Sequence, residues 1–177
     1  VVAAAVLLPL DRLDLASVLD GVRDSKQMRP VDREHWADRI WALADAAGIG
    51  FSEAREVDAL GLLPATRLAM RRAIHSLTRA PEFLLIDHLR LPAIEVPQEA
   101  ITRGDQQVLS IAAASVLAKV SRDHWMRSLG DRYPDYGFAS HKGYGTVQHQ
   151  QAIQRLGPCP EHRRSYQPVQ RALSARA

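Results

Sequence analysis

Apolar positions along this chain alternate between short unbroken runs and stretches at helical spacing. Val1 to Leu8 is a continuous apolar run stopped by Pro9, which predicts a buried strand, although its alanines leave a helix open. The segment from Asp11 to Lys26 holds a short apolar set and the turn Asp20-Gly21. From Val31 to Ala47, Trp36, Ile40, Leu43 and Ala47 fall on one helical face; Pro30 suits the first turn and Gly48 the stop. Ile49-Gly50-Phe51 is a short strand candidate, and Ser52 with Glu53 and Glu56 suggests a capped short helix. A further helix is expected over Pro64 to Leu77.

Pro81 to Asp87 reads as the clearest strand, because Phe83-Leu84-Leu85-Ile86 run without alternation, as in a strand covered on both faces. Pro92 and Pro97 interrupt the chain beyond it. Gln106 to Leu129 is the clearest helix. Its centre, Ile111 to Val120, is apolar nearly all round and therefore buried. Residues 133–146, rich in glycine and aromatics, read as a loop. Val147 to Leu156 is a last helix stopped by Gly157-Pro158. Strands interleaved with helices predict an α/β fold.

Composition narrows the class. The chain has 177 residues, 46% apolar and 24% charged, as one globular domain would. Its single cysteine, Cys159, excludes a disulfide framework and a cysteine-rich zinc site. No apolar run approaches the roughly 20 residues of a membrane helix, and the opening run lacks the basic flank and cleavage site of a signal peptide. The expectation is a soluble, cytoplasmic, monomeric single domain without membrane contact. Charge is uneven: residues 139–177 carry a net +5 and the rest −2, so the basic end is either a polyanion footprint or a solvated tail. There are 20 arginines and three lysines, Lys26, Lys119 and Lys142. Where arginine is so favoured, a persisting lysine marks a place where a compact ammonium serves better than a planar fork.

Four segments carry candidate chemistry. Asp87 ends an apolar strand, the edge at which open α/β sheets bind ligands, or else it starts a turn. Ser115, Lys119 and Asp123 share one stripe of the buried helix, facing either a polar cleft or one another. If that helix packs on the strand end, Asp87 and Asp123 converge, and two carboxylates sharing a cleft call for a hard cation, Mg²⁺ or Mn²⁺. Tyr144 lies between Gly143 and Gly145, so a sugar or backbone can approach the ring, with Lys142 beside it for a phosphate; the alternative is a ring that caps the core. Asp24-Ser25-Lys26 offers hydroxyl and ammonium donors, for a phosphate or simply for a helix entry.

Taken in order, these segments resemble bacterial type 2 ribonuclease H, ribonuclease HII. The resemblance runs through Val1-Val2-Ala3-Ala4-Ala5-Val6-Leu7-Leu8-Pro9, Asp24-Ser25-Lys26, Ala65-Thr66-Arg67-Leu68-Ala69-Met70, Leu85-Ile86-Asp87 and Gly104-Asp105. It continues through Ile111 to Asp123, Tyr136-Gly137-Phe138, His141-Lys142-Gly143-Tyr144-Gly145-Thr146 and His162-Arg163-Arg164-Ser165-Tyr166. The last two segments look like the type 2 rather than the type 3 branch.

The resemblance implies a ribonuclease H-like mixed sheet flanked by helices. It implies hydrolysis of the RNA strand of RNA–DNA hybrids and cutting at single ribonucleotides in duplex DNA, using two divalent ions, Mn²⁺ or Mg²⁺. It makes Asp87 and Asp123 catalytic, metal-binding carboxylates, with Ser115 and Lys119 supporting them. Ser25, Lys26, Lys142 and Tyr144 become substrate contacts, with Tyr144 on the sugar. His88 stands where the family usually has glycine, and Arg103 where it often has lysine. The family's first strand, ending in Asp-Glu-Ala-Gly-Arg-Gly, does not occur in this sequence and would lie just upstream of Val1. The expectation is a truncated chain, lacking that strand and two of four carboxylates, that folds poorly and does not cleave. The competing readings are a non-catalytic nucleic-acid-binding remnant and an unrelated α/β protein.

Overall fold

The computed structural model describes residues 1–176. Its elements run β1 (Val2–Leu7), α1 (Leu15–Val18), α2 (Pro30–Leu43), β2 (Ala46–Phe51), α3 (Ala54–Leu60), α4 (Leu62–His75), β3 (Leu84–Asp87), β4 (Gln98–Ile101), α5 (Leu109–Arg132), α6 (Phe138–His141), α7 (Val147–Leu156) and α8 (Gln167–Ser174). The residues group into two compact units. One holds 2–51 and 66–120; the other holds 1, 52–65 and 121–176. No helix among the described residues is long and apolar enough to cross a membrane.

All four strands belong to the first unit, as two separate pairs. β1 and β2 are antiparallel, with Val2 opposite Phe51 and Leu7 opposite Ala46. β3 and β4 are parallel, with Leu84 opposite Gln98 and Asp87 opposite Ile101. Parallel and antiparallel pairing both occur, each in its own two-stranded sheet.

A core of Leu8, Leu19, Met28, Ile40, Val116 and Leu117 joins α2 and the first half of α5 with β1 and β2. The apolar α5 residues fill that core, so burial accounts for its near-absence of a polar face. Gly48 and Gly50 lie within β2, and α4 packs against them. A Cβ on Gly50 would run into the Ala69 carbonyl and stand 2.5 Å from Ala73 N.

Local differences from the sequence reading have physical causes. Helix α2 stops at Leu43, and Ala46 and Ala47 belong to β2 because Ala44 is already extended; Gly48 is a strand residue, not a helix stop. The short helix α3 begins one residue later than Ser52 suggests, because Glu53 and Glu56 form a reciprocal capping box. Strand β3 is shorter than expected, beginning at Leu84. β4 begins directly after Pro97; its Gln98-Glu99 start gives no apolar signal, and pairing with β3 creates it. Residues 133–146 contain a 3-10 turn at Pro134–Tyr136 and the one-turn helix α6, not loop alone.

Candidate active site

In the first unit, β3 delivers Asp87 to its C-terminal end. The next residue, His88, takes a left-handed backbone (φ 61°) while its amide bonds Ile101 O at 2.9 Å. Glycine adopts that conformation without strain, whereas a histidine does so at a cost. Beyond β4, Arg103 is also left-handed and turns the chain into the 3-10 segment Gly104–Gln106. The Gly104 amide then donates to Asp87 Oδ1 at 2.9 Å.

Asp105 is therefore brought beside Asp87. Burial raises the Asp105 pKa, and the negative charges of Asp24 and Asp87 raise it further, while Lys26 opposes them. Asp24 itself is buried and committed: it accepts from Lys26 N at 3.0 Å and Gln27 Nε2 at 3.2 Å, and the Lys26 amide chiefly holds its carboxyl low. Asp105 is the acidic residue that spacing alone does not reveal. Its only signal in the sequence is the Gly104-Asp105 pair within the matched segments.

Ser25 is 4% exposed and its hydroxyl meets that of Ser115 at 2.8 Å. The sequence suggests an open loop for Ser25; the structure puts it in a 3-10 turn capped by Asp24, with Lys26 exposed next to it. Buried Arg33 secures this turn by donating to Ser25 O at 3.0 Å. Lys119 is half-buried on α5, one turn beyond Ser115.

Asp123, on the same helical stripe, is buried and falls in the second unit. There, Lys142 is left-handed (φ 51°), and its ammonium donates to Ala139 O within α6. Tyr144 is 57% exposed. Arg122 braces its loop, donating from Nη2 to Lys142 O at 2.9 Å while its guanidinium sits 5.9 Å from the Tyr144 ring centre.

Hard carboxylate oxygens at Asp87 and Asp105, already repelling each other, suit an oxygen-seeking divalent cation. Among the described residues no group of three or more His, Cys, Asp or Glu side chains is arranged to hold a metal by itself. A cation here would need substrate oxygens or further ligands as well.

The ribonuclease HII family profile matches residues 1–169. The chain belongs to the ribonuclease HII family. It is 49% identical over 175 residues to ribonuclease HII of Geobacillus kaustophilus, covering 99% of this chain and 65% of that protein. It is 52% identical over 169 residues to ribonuclease HII of Chloroflexus aggregans, covering 96% and 80%. The chain thus spans just under two-thirds of the first relative's length. In fold it is similar to ribonuclease H2 from Pyrococcus horikoshii, with a TM-score of 0.77 at 18% identity, covering 99% of this chain and 98% of that one. It is also similar to Bst-RNase HIII in complex with Mn²⁺, with a TM-score of 0.75 at 18% identity, covering 98% and 64%. The ribonuclease H-like fold expected from the sequence is the fold found.

Proposed function

We propose that this ribonuclease HII chain supplies the acidic and substrate-contacting residues of a metal-dependent endonuclease. Its substrates are the RNA strand of RNA–DNA hybrids and single ribonucleotides embedded in duplex DNA, and its products carry 5′-phosphates. The observation that carries this reading is the placement of Asp105 beside Asp87 at the end of β3, in a chain of this family.

Asp87 and Asp105 would hold a divalent cation, Mn²⁺ or Mg²⁺. The bound cation supplies a more acidic water and neutralises charge on the phosphate. Asp87 is oriented by the Gly104 amide, so its free oxygen faces away from that bond. Exposed Lys26 offers its ammonium to a phosphate, while the Ser25–Ser115 bond keeps the turn in place. Tyr144 presents its ring to a sugar, and Lys142 reaches a phosphate after releasing Ala139 O. The resemblance assigns Asp123 a ligand's task as well. No Asp-Glu-Ala-Gly-Arg-Gly segment occurs in these 177 residues. The acidic set within them is therefore partial, and on their own they are expected not to cleave.

The test compares residues 1–177 with the same chain carrying that segment upstream. Both are assayed on a hybrid and on a duplex with one ribonucleotide, with Mn²⁺ and with Mg²⁺. In the extended protein, Asp87→Asn and Asp105→Asn should each cost roughly a hundredfold or more in rate, as expected when charge stabilisation by a metal is lost. An Asp105→Asn variant of full activity would remove Asp105 from the mechanism. An equal collapse with Asp123→Asn would support the ligand's task the resemblance assigns to it. An extended protein that binds the duplex without cutting it would be the non-catalytic remnant.

A further inference from the structure

Three buried histidines of the second unit, His141, His149 and His162, lie beneath the Tyr144 loop. The rings of His141 and His149 stack with centroids 4.2 Å apart, and those of His149 and His162 stand 5.3 Å apart. Phe138 packs edge-on against His141 and His149. None of the three is needed for the cleavage chemistry at Asp87 and Asp105.

Their hydrogen bonds permit one arrangement of protons. The Cys159 backbone amide can only donate, and it lies 3.0 Å from His162 Nδ1. With the amide hydrogen directed at it, that nitrogen accepts, the Cys159 thiol 3.1 Å away being able to donate to it as well, and a neutral His162 carries its proton on Nε2. His162 Nε2 is 3.1 Å from His149 Nε2, which must then accept in turn. The His149 proton is left on Nδ1, which faces the Tyr144 carbonyl at 2.9 Å, a group that can only accept. The two ends of the chain, fixed independently, agree. The same logic sets His141: Gly143 N donates to its Nδ1 at 3.1 Å, so its Nε2 proton goes to Tyr136 O at 2.7 Å.

We propose that His162 and His149 form a one-directional hydrogen-bonded chain, from the Cys159 amide to the Tyr144 carbonyl, that fixes the backbone carrying the Tyr144 ring. Both are positioning residues, and His141 holds the turn just before it. The Tyr144 carbonyl also accepts from Thr146 N at 2.8 Å, so both its lone pairs are engaged and the peptide plane is set. The positioning role rests on the reading of Tyr144 as the sugar contact; the proton arrangement does not.

The chain holds only while both rings are neutral, because a second proton would set N–H against N–H. The surroundings favour neutrality. Burial, then His149, push His162 down to about 4, and burial lowers His149 as well. The groups facing the rings are the Cys159 thiol and Tyr136 phenol, both raised by burial, and His141; Glu161 lies beside Cys159. None places a carboxylate against either imidazole.

The decisive measurement is the ring-nitrogen ¹⁵N spectrum of the protein between pH 4 and 8. At pH 7, His149 should be the Nδ1–H tautomer and His162 the Nε2–H tautomer, each titrating below the ordinary histidine value. The opposite tautomer at either residue, or a midpoint near 6.5, overturns the chain. Activity then tests its purpose. His149→Phe, which keeps the ring volume, should slow cleavage at a single ribonucleotide about 3- to 10-fold, the worth of one hydrogen bond. It should cost nothing further in a Tyr144→Ala background. An undiminished loss in that background overturns the positioning role. If Tyr144→Ala alone is without effect, the sugar-contact reading fails and the positioning role falls with it, while the tautomers still decide the chain.

Discussion

The amide of Gly104 donates a 2.9 Å hydrogen bond to the Asp87 carboxylate. One residue of β4's exit turn thereby orients the acid at the end of β3 and sets the next residue, Asp105, within its field. Burial makes ionising Asp105 costly, and the charges of Asp24 and Asp87 add to that cost.

The cost can be measured at Asp105. Its folded-state pKa is raised, so its contribution to stability is complete below the ordinary value of 3.8 and is lost as pH rises through the raised value. At pH 7 without metal, Asp105→Asn should therefore melt higher than the parent. With Mn²⁺ the order should reverse, because the parent gains by binding and the variant gains less. A variant that melts lower than the parent under both conditions would mean that the carboxylate is a structural acceptor.

His88 occupies a left-handed position (φ 61°) and is exposed. His88→Gly should stabilise the protein by up to about 1 kcal/mol, the strain relieved less the added chain entropy. His88→Val should destabilise it by about 1–2 kcal/mol, because a β-branched residue resists that backbone most. Thermal melts in which both variants match the parent would place the strain elsewhere.

Gly50 reverses the usual rule that alanine improves a strand. Its missing Cβ is where α4 sits, against Ala69 O and Ala73 N. Gly50→Ala should cost about 2–3 kcal/mol through overpacking against backbone. Urea unfolding would show it as a lower midpoint with an unchanged slope; an unchanged midpoint would mean that α4 shifts freely.

Tyr144 is 57% exposed, and the Arg122 guanidinium lies 5.9 Å from its ring centre. Tyr144→Ala should lose most cleavage at an embedded ribonucleotide, and Tyr144→Phe much less, since a ring packed on a sugar needs its face more than its hydroxyl. Parallel rate measurements decide this; equal, negligible losses would make the ring idle.

Lys26 is exposed and Lys142 is tied to Ala139 O. Neutralising Lys26 should lower the magnitude of the log–log salt dependence of duplex binding by about 1. Lys142 should contribute less, since it must first give up its carbonyl. Identical slopes for the parent and the Lys26 variant would make Lys26 a solvated surface residue.

Features that repeat locally or end abruptly are legible in the amino-acid sequence alone. Helix α7 lies where Val147 to Leu156 indicated, because Thr146 caps one end and Gly157 terminates the other. Asp87 ends a strand because an apolar run meets a charge there. The burial of α5 is implied by its lack of a polar face, and the ordered segments point to the family. Features that depend on register and approach emerge only in the folded chain. Strand β4 exists because β3 pairs with it, not because Gln98-Glu99 favours a strand. The nearness of Asp105 to Asp87 comes from that register and the turn after it, and no sequence period encodes it. Ser25 reads as an open donor until Ser115, 90 residues away, takes its hydroxyl. The histidine chain is the extreme case. His149 and His162 stand 13 residues apart, and only their approach to 3.1 Å, between a donor-only amide and an acceptor-only carbonyl, fixes where each proton resides. Local pattern sets which face is buried; the protonation and partners of buried polar groups are set by whatever the fold brings to them.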